Sequence, residues 1–529
     1  MPKKVILNIN QPTDNPAVDL VLDTLEKKKQ ALVFVNTKRG AERAAEDIAK
    51  KTNIKDAAYK AQLEKISHDI LKALPKPTRQ CEREAFCIKK GIAFHHAGLT
   101  QKQKTLIEDA FRERVIKIIA CTPTLSFGLN LPAFRAIIRD LKRYTRHGLD
   151  WIPVLEYHQM AGRCGRPGSD KWGEAICIAQ NESDKEKITE MFLNGESEEI
   201  FSKLAVEPVL RTYVLSLIAS GFASSQDDLE AFFSKTFWAH QYEDMDKLGG
   251  IIDRMVSLLV DFEFVESSGS RSREFVSADE VGGNSRLAAT RLGKRVAELY
   301  IDPLTAHKMI IAMQRASEKI VNEFSFIHLV SSCPELRPLL KVRSKEYEEI
   351  ESKIAEHESS IIVLEPSLYD PEYEEFQNSI KTALFFNDWI EENDEEDLLE
   401  KYNIRPGEIK VKRDLADWLL YTAEELARLT KKAGLLKVII KSRMRLRYGV
   451  KEELLPLLRL EGIGRVRARK LFRNGIIDSG EVRKADLMKL VQILGKNTAI
   501  RVKKQVGQDF DKAKVPERRR KGQVSLKDY

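Results

Sequence analysis

The sequence predicts a multidomain protein in which an α/β lobe with a parallel sheet precedes three mainly helical domains. A chain of 529 residues is too long for one hydrophobic core, and roughly three or four domains are expected. Up to about residue 200, short apolar runs alternate with segments of helical periodicity, as in parallel sheets whose strands are buried on both faces. Beyond residue 201, amphipathic helical patterns dominate.

Composition and charge restrict the class of protein. A hydrophobic fraction of 43% with 32% charged residues is typical of a soluble globular chain. No apolar run has the length of a membrane span, and the N-terminal apolar stretch is too short for a signal peptide. Six scattered cysteines fit a reducing compartment, so we expect a cytoplasmic protein. The net charge of +8 permits a polyanionic partner.

The first buried strand, from Ala31 to Val35, leads into a candidate anion site. It is followed by residues 36–40 (NTKRG) and then by a helical pattern. A hydroxyl and two cations therefore lie where a strand ends and a helix begins, and the N–H groups of a helix N-terminus attract anions. The candidate ligands for a phosphate are Thr37 and Arg39.

Two later segments carry the most specific chemistry. The apolar run 115–120 leads into residues 121–132 (CTPTLSFGLNLP), a hydroxyl-rich turn at a strand end, where open α/β sheets bind ligands. About thirty residues later comes the segment 159–166 (QMAGRCGR). Its glycines allow a close backbone approach, and its arginines, Arg163 and Arg166, suit a phosphate chain.

These two segments resemble motifs V and VI of superfamily-2 helicases, written T-P-T-L-S-x-G-x-N-L-P and Q-x-x-G-R-x-G-R. The resemblance implies a RecA-like lobe that contributes to an ATP site, with ATP and Mg²⁺ as cofactors. It implies catalytic roles for Gln159, Arg163 and Arg166, with Arg166 the stronger candidate for the arginine finger. It also implies nucleotide contacts by Gly128 and Asn130 together with the two arginines.

Other segments of the lobe resemble the nucleic-acid-binding motifs of the same enzymes. The 36–40 segment resembles motif IV, and residues 95–99 (HHAGL) resemble motif IVa. The resemblance implies nucleic-acid contacts by Thr37, Arg39, His96, Gly98 and Thr122, with His96 and Gly98 positioning the backbone. Adjacent strand residues point to opposite faces, so a metal shared by His95 and His96 is not expected. Zinc binding by these histidines with Cys81 and Cys87 matches no common spacing, and no metal site is predicted.

A cation-rich stretch with aromatic residues, residues 139–153, separates the two helicase motifs. Its pattern predicts a hairpin with a basic, aromatic tip that contains Arg143 and Tyr144. Archaeal DNA helicases of the Hjm/HelQ type are similar here, and in them an insertion at this place is the wedge that splits the duplex. The alternative is an exposed loop without a special role.

The sequence contains no Walker A motif. Its Gly-Lys pairs, at 293–294 and 495–496, are followed by Arg295 and Asn497 instead of Ser or Thr. No strand resembles Walker B either. Superfamily-2 motors hydrolyse ATP between two lobes, and this chain begins where the second would. We therefore expect a helicase without its first lobe, through truncation or through a split or decayed gene, that does not hydrolyse ATP alone.

The predicted domains are the RecA-like lobe at 1–200 and a winged-helix domain at 201–303. In the latter, three helical patterns precede two short strands, Phe262 to Glu266 and Glu274 to Ser277. A helical, ratchet-like domain follows at 304–440. Its helix from about Gly407 to Lys431 carries Trp418, which resembles the base-stacking Trp of the Hjm-like family, although a core position is the alternative. The basic residue expected one heptad earlier is Val411.

The last predicted domain is a helix-hairpin-helix at 441–510. The turn from Gly462 to Gly464 exposes N–H groups that can hold a phosphate, and Arg465 adds charge. A hairpin that contacts protein instead of DNA is the alternative. The basic tail 511–529 ends in Gln523, Leu526 and Tyr529, which resemble an incomplete sliding-clamp motif; an unattached tail is the alternative.

The sequence thus predicts the C-terminal part of a monomeric ATP-dependent 3′ to 5′ DNA helicase that acts on forked or single-stranded DNA in replication or repair. Two alternatives remain. One is a non-enzymatic DNA-binding regulator, and the other is an RNA helicase of the same superfamily.

Overall fold

The computed structural model describes residues 7–74, 76–127, 131–145, 148–165, 172–242, 245–268 and 286–510. The chain forms two units. The first contains Met1–Ile200 together with Ile404–Lys410, and the second contains Phe201–Asn403 and Val411–Tyr529. Among the described residues, no helix combines the length and the apolar character that a membrane crossing requires.

The first unit is built on a five-stranded parallel sheet. Its strands, in the order in which they lie side by side, are β2 Ile92–His95, β3 Ile118–Cys121, β1 Ala31–Phe34, β4 Arg135–Ile138 and β7 Glu174–Cys177. A separate antiparallel hairpin pairs β5 Lys142–Thr145 with β6 Gly148–Trp151. The helices of this part are α1 Pro16–Glu26, α2 Lys38–Lys51, α3 Ala57–Leu71, α4 Arg79–Ile88, α5 Gln101–Arg112, α6 Val154–Ala161 and α7 Glu182–Ile188.

The sheet confirms the parallel α/β prediction for the first 200 residues. Central strands β1, β3 and β4 are buried along their whole length, because helices cover both faces of a parallel sheet. In register, Ala31 of β1 lies between Ile118 and Arg135. All five strands run the same way, so the segments that follow them, including three of the helicase-like motifs, lie at one edge of the sheet.

The remaining helices follow in chain order. They are α8 Glu207–Ala219, α9 Gln226–Phe233, α10 Phe237–Tyr242, α11 Met245–Asp261, α12 Arg291–Glu298, α13 Pro303–Arg315, α14 Glu323–Ser331, α15 Tyr347–His357, α16 Tyr373–Ile390, α17 Glu395–Lys401, α18 Pro406–Leu429, α19 Ala433–Tyr448, α20 Arg465–Arg473, α21 Ser479–Lys484, α22 Leu487–Leu494 and α23 Lys496–Gln505. Two short strands, β8 Val265–Ser267 and β9 Leu287–Ala289, pair antiparallel.

The wing of the second unit differs from the prediction. The partner of β8 is β9, which comes after the predicted strand at Glu274 to Ser277; that stretch lies outside the described residues. A helix that the sequence reading missed, α10, lies between the second and third predicted helices. The three predicted helices themselves are present as α8, α9 and α11.

The predicted boundary at residue 440 is wrong. Helix α19 runs through it without a break to Tyr448. The next residue, Gly449, caps the helix with a φ of +64°, the left-handed conformation that glycine favours. The core of the last domain begins with Val450. The sequence reading placed the boundary too early because the polar residues of α19 resemble a break.

The turn before α20 has the predicted glycines but a different preceding element. Gly462 has a φ of +82°, and Gly464 is the residue before the helix. Short 3₁₀ turns, Glu452–Leu454 and Leu457–Arg459, precede this turn where a helix was expected. The assignment of a helix-hairpin-helix therefore stays a prediction.

Candidate nucleotide and nucleic-acid sites

Motif V follows β3 at the edge of the sheet. The Thr122 N–H donates to the His95 carbonyl at 3.2 Å, and the Thr122 hydroxyl lies 2.8 Å from that of Thr124. Thr122 is buried and Thr124 is exposed. Of the two hydroxyls, that of Thr124 is the more accessible to nucleic acid, although the sequence pointed to Thr122.

Motif VI is joined to motif V through Arg163. The Arg163 side chain is buried, and its guanidinium donates to the Ser126 carbonyl. The Arg163 carbonyl in turn accepts the Ala133 N–H at 3.0 Å. The prediction that Arg163 contacts ATP needs correction, because this guanidinium is directed into the protein. Its position indicates that it holds the two motifs together.

The remaining residues of motifs V and VI differ in exposure and in whether the structure describes them. Gln159 is exposed on α6. Gly165 has a φ of +67°, and a Cβ on it would lie 2.9 Å from the Gly173 nitrogen, so the close approach of the two segments requires glycine. Gly128, Asn130 and Arg166 lie outside the described residues.

Motif IVa positions the backbone and has no exposed histidine. His96 is 0% exposed; its Nδ1 accepts the Gly98 N–H at 3.0 Å, and its Nε2 lies 3.2 Å from the Glu42 carboxylate. His95 points the other way, with Nε2 3.0 Å from Glu108, as strand geometry predicted. The enclosed His96 side chain holds the backbone at Gly98, in line with the predicted positioning role, and a contact of this segment with nucleic acid stays a prediction. Gly98 is also buried.

Motif IV borders a basic cavity. Thr37 is exposed and accepts the Gly40 N–H at 2.9 Å as the cap of α2. Beside it, a cavity of about 420 Å³ is lined by Asn15, Arg39, Gly40, Arg43, Asp47 and Arg139. The sequence reading named only Arg39. Arg43 could have been found from the helical spacing of four residues, whereas Arg139 comes from the end of β4 and required the sheet order.

The β5–β6 hairpin is present as predicted. Tyr144 pairs with Leu149 across the two strands, and their side chains are 85% and 57% exposed. Arg143, a predicted DNA ligand, donates twice to Glu156, at 2.8 and 3.1 Å. This side chain therefore anchors the hairpin to α6.

The base of the hairpin is held by a second set of contacts. The Lys142 ammonium lies 4.2 Å from the Trp151 ring centroid and 3.1 Å from Asp184. Trp151 meets Phe192 edge to face at 5.8 Å. These contacts fix the base of the hairpin below the exposed Tyr144 and Leu149.

Trp418 is half-buried on α18. Its Nε1–H donates to the Leu299 carbonyl at 3.1 Å, so one edge of the indole is fixed while part of the ring remains accessible. Val411, where the family has a basic residue, is exposed, and Lys412 is buried with its ammonium donating to the Pro338 carbonyl.

Arg465, which follows the Gly462 to Gly464 turn, is partly exposed and contacts residues of its own unit. Its guanidinium lies 4.9 Å from the Trp389 ring centroid and donates to the Asn393 carbonyl at 2.8 Å. Burial lowers the pKa of this group, although nearby carboxylates oppose the shift. The predicted phosphate contact by Arg465 stays a prediction, since the side chain is partly exposed while it contacts Trp389 and Asn393.

Three family profiles match consecutive parts of the chain. "Helicase conserved C-terminal domain" matches residues 76–168, "Helix-turn-helix domain" matches residues 173–266, and "Archaeal helicase, domain 4" matches residues 324–449. The last match ends at Gly449, the residue that caps α19, and agrees with the corrected boundary.

Three relatives that match nearly the whole chain carry the same name. The chain is 37% identical to the ATP-dependent DNA helicase Hel308 of Methanococcus vannielii, over 97% of this chain and 70% of the relative. It is also 37% identical to that of Methanocella arvoryzae (99% and 69%) and 36% identical to that of Pyrococcus abyssi (95% and 67%). The chain therefore belongs to the Hel308 family of ATP-dependent DNA helicases.

Proposed function

We propose that this chain is the DNA-engaging part of a helicase that moves 3′ to 5′ on forked or single-stranded DNA and completes an ATP site shared with a second lobe. The observation that carries the proposal is the bond from Arg163 to the Ser126 carbonyl, which joins motifs V and VI at the edge of the sheet. The wedge-like hairpin lies between these motifs in the sequence.

We propose that motifs V and VI form one side of an ATP and Mg²⁺ site, of which Gln159 and Arg163 lie within the described residues. Gln159 is exposed on α6, and Arg163 supports the segment that leads to Arg166. When bound, the nucleotide supplies the free energy of phosphoryl transfer. Gln159 and Arg166, together with Gly128 and Asn130, would hold its outer phosphates, and Arg163 would support them without contacting the nucleotide. The sequence has no Walker A motif to enclose the β-phosphate, so we propose that this chain does not hydrolyse ATP by itself.

The function is tested by supplying the missing motif. We define the two-lobe enzyme as this chain joined to the Walker A-bearing lobe of a helicase of the same family. It should show ATP hydrolysis stimulated by single-stranded DNA and should unwind a duplex with a 3′ tail in preference to one with a 5′ tail. DNA binding without stimulated hydrolysis would favour the non-enzymatic regulator, and a preference for RNA would favour the RNA helicase.

We also expect Trp418 to stack on a DNA base. Stacking on an aromatic side chain contributes about 1 to 3 kcal/mol per base, so Trp418→Ala should weaken binding of single-stranded DNA by this chain roughly 5- to 150-fold. Trp418→Phe should retain most of the affinity because it keeps an aromatic face. It also removes the Nε1–H bond to the Leu299 carbonyl. Fluorescence anisotropy at one fixed salt concentration measures both. Equal affinity of the Ala variant would assign the ring to the core.

The tail residues Gln523, Leu526 and Tyr529 lie outside the described residues. Their contact with a sliding clamp, and the monomeric state of the protein, stay proposals that rest on the sequence.

A further inference from the structure

The start of α18 belongs to the first unit. Residues Ile404–Lys410 are grouped with Met1–Ile200, although the residues before and after them belong to the second unit. The helix that carries Trp418 begins within this segment, at Pro406. Specific contacts are needed to hold such a seven-residue segment in the first unit.

Two glycines allow the segment to approach motif IVa backbone to backbone. The Gly407 N–H donates to the Gly98 carbonyl at 3.0 Å. A Cβ on Gly407 would lie 2.4 Å from the Leu99 carbonyl oxygen, and a Cβ on Gly98 would lie 2.4 Å from the Arg405 side chain. The contact at Gly407 is with a backbone oxygen, so this position requires glycine, whereas a Cβ on Gly98 would displace the Arg405 side chain.

A buried carboxylate, Glu42 of α2, is the ionic centre of the same contact. The Arg405 Nε–H donates to Glu42 at 2.9 Å, and His96 Nε2 lies 3.2 Å from the same carboxylate. Glu42 is 3% exposed, and Arg83 also pairs with it. Lys38, at the start of α2, forms an ion pair with Glu408. Motif IV, motif IVa and the start of α18 are thus joined through charged side chains.

Electrostatics keep Glu42 ionised. Burial raises the pKa of Glu42, but hydrogen bonds from His96 and Arg405 and the charge of Arg405 outweigh it and hold the pKa far below the usual value. A buried carboxylate that stays charged depends on its cationic partners, because the desolvated charge is costly when a partner is lost. The contact is therefore sensitive to a single substitution on either side.

We propose that Glu42 and Arg405 are a positioning pair that fixes the start of α18 to the helicase lobe. When the lobe moves, the helix then carries that displacement to Trp418. This inference rests on the proposed function. Trp418 comes thirteen positions after Arg405, which corresponds to about 20 Å at the helical rise. An α-helix is stiff over that length, so its first turn determines where the indole is presented.

The contact is tested first in this chain alone, by hydrogen exchange. Glu42→Gln and Arg405→Gln should each raise the exchange rate of the Gly407 amide about tenfold or more, because the bond to Gly98 loses its ionic support. Arg405→Lys should restore part of the protection. The matched control is Arg337→Gln, which breaks the solvent-exposed ion pair with Glu375 in the second unit and should leave the Gly407 amide unchanged. Unchanged protection in both Glu42 and Arg405 variants would overturn the pairing.

The coupling is tested in the two-lobe enzyme. Arg405→Gln should lower the base pairs separated per ATP hydrolysed about tenfold, while DNA-stimulated hydrolysis and the affinity for single-stranded DNA stay within about twofold. Gly407→Ala should do the same without removing a charge, and melting temperatures identify any variant that fails to fold. A parallel loss of hydrolysis and unwinding, or no change in their ratio, would refute coupling. If the wild-type two-lobe enzyme hydrolyses no ATP, the proposed function fails. The hydrogen-exchange experiment still shows whether Glu42 and Arg405 hold the start of α18.

Discussion

Arg166→Ala should lower DNA-stimulated ATP hydrolysis by the two-lobe enzyme by about 10³- to 10⁵-fold, the range that arginine fingers supply in phosphoryl transfer. The finger neutralises charge that develops on the transferring phosphoryl group, so its loss acts on the chemical step. Affinity for single-stranded DNA and the melting temperature should stay close to wild type. Steady-state hydrolysis with saturating DNA measures the first quantity, and anisotropy and calorimetry measure the others.

Arg163 provides the contrast. Because its buried guanidinium holds the Ser126 carbonyl, Arg163→Ala should lower the melting temperature as well as the hydrolysis rate. The melting temperature, which should fall in the Arg163 variant and not in the Arg166 variant, therefore distinguishes the roles of the two arginines. Wild-type turnover in the Arg166 variant would remove it from the ATP site.

The hairpin carries the second large effect. Tyr144→Ser with Leu149→Ser removes the exposed apolar pair and leaves the Lys142 and Arg143 anchors in place. In the two-lobe enzyme, unwinding of a forked duplex should fall about tenfold, equivalent to about 1.4 kcal/mol of barrier, because the wedge no longer replaces base stacking at the junction. ATP hydrolysis should persist.

The control for the hairpin is Tyr369→Ser, which removes a tyrosine that is 96% exposed and lies far from the hairpin in the sequence. It should change neither unwinding nor hydrolysis. Shortening the hairpin to a two-residue turn should reproduce the double substitution. Unwinding at the wild-type rate in both hairpin variants would mean that the stretch is an exposed loop without a role at the fork.

Much of the fold followed from local patterns. The apolar runs at β1, β3 and β4 predicted a parallel sheet because strands covered on both faces lack polar alternation. The hairpin and the long helix α18 followed from composition and helical spacing. The motifs V and VI placed the chain among helicases, since the spacing of their glycines and arginines is specific.

The orientation of charged side chains was decided only by the tertiary structure. The sequence presented His96, Arg163 and Arg465 as ligands, yet each contacts a carboxylate, carbonyl or ring from elsewhere in the chain. His96 and Arg163 are buried by these contacts, and Arg465 stays partly exposed. The Glu42 and Arg405 pair joins residues 363 positions apart. No periodicity or motif relates such residues, and the path of the chain through the first unit brings them together. The sequence by itself determined which chemistry the chain carries, and packing determined which of those groups remain available to a ligand.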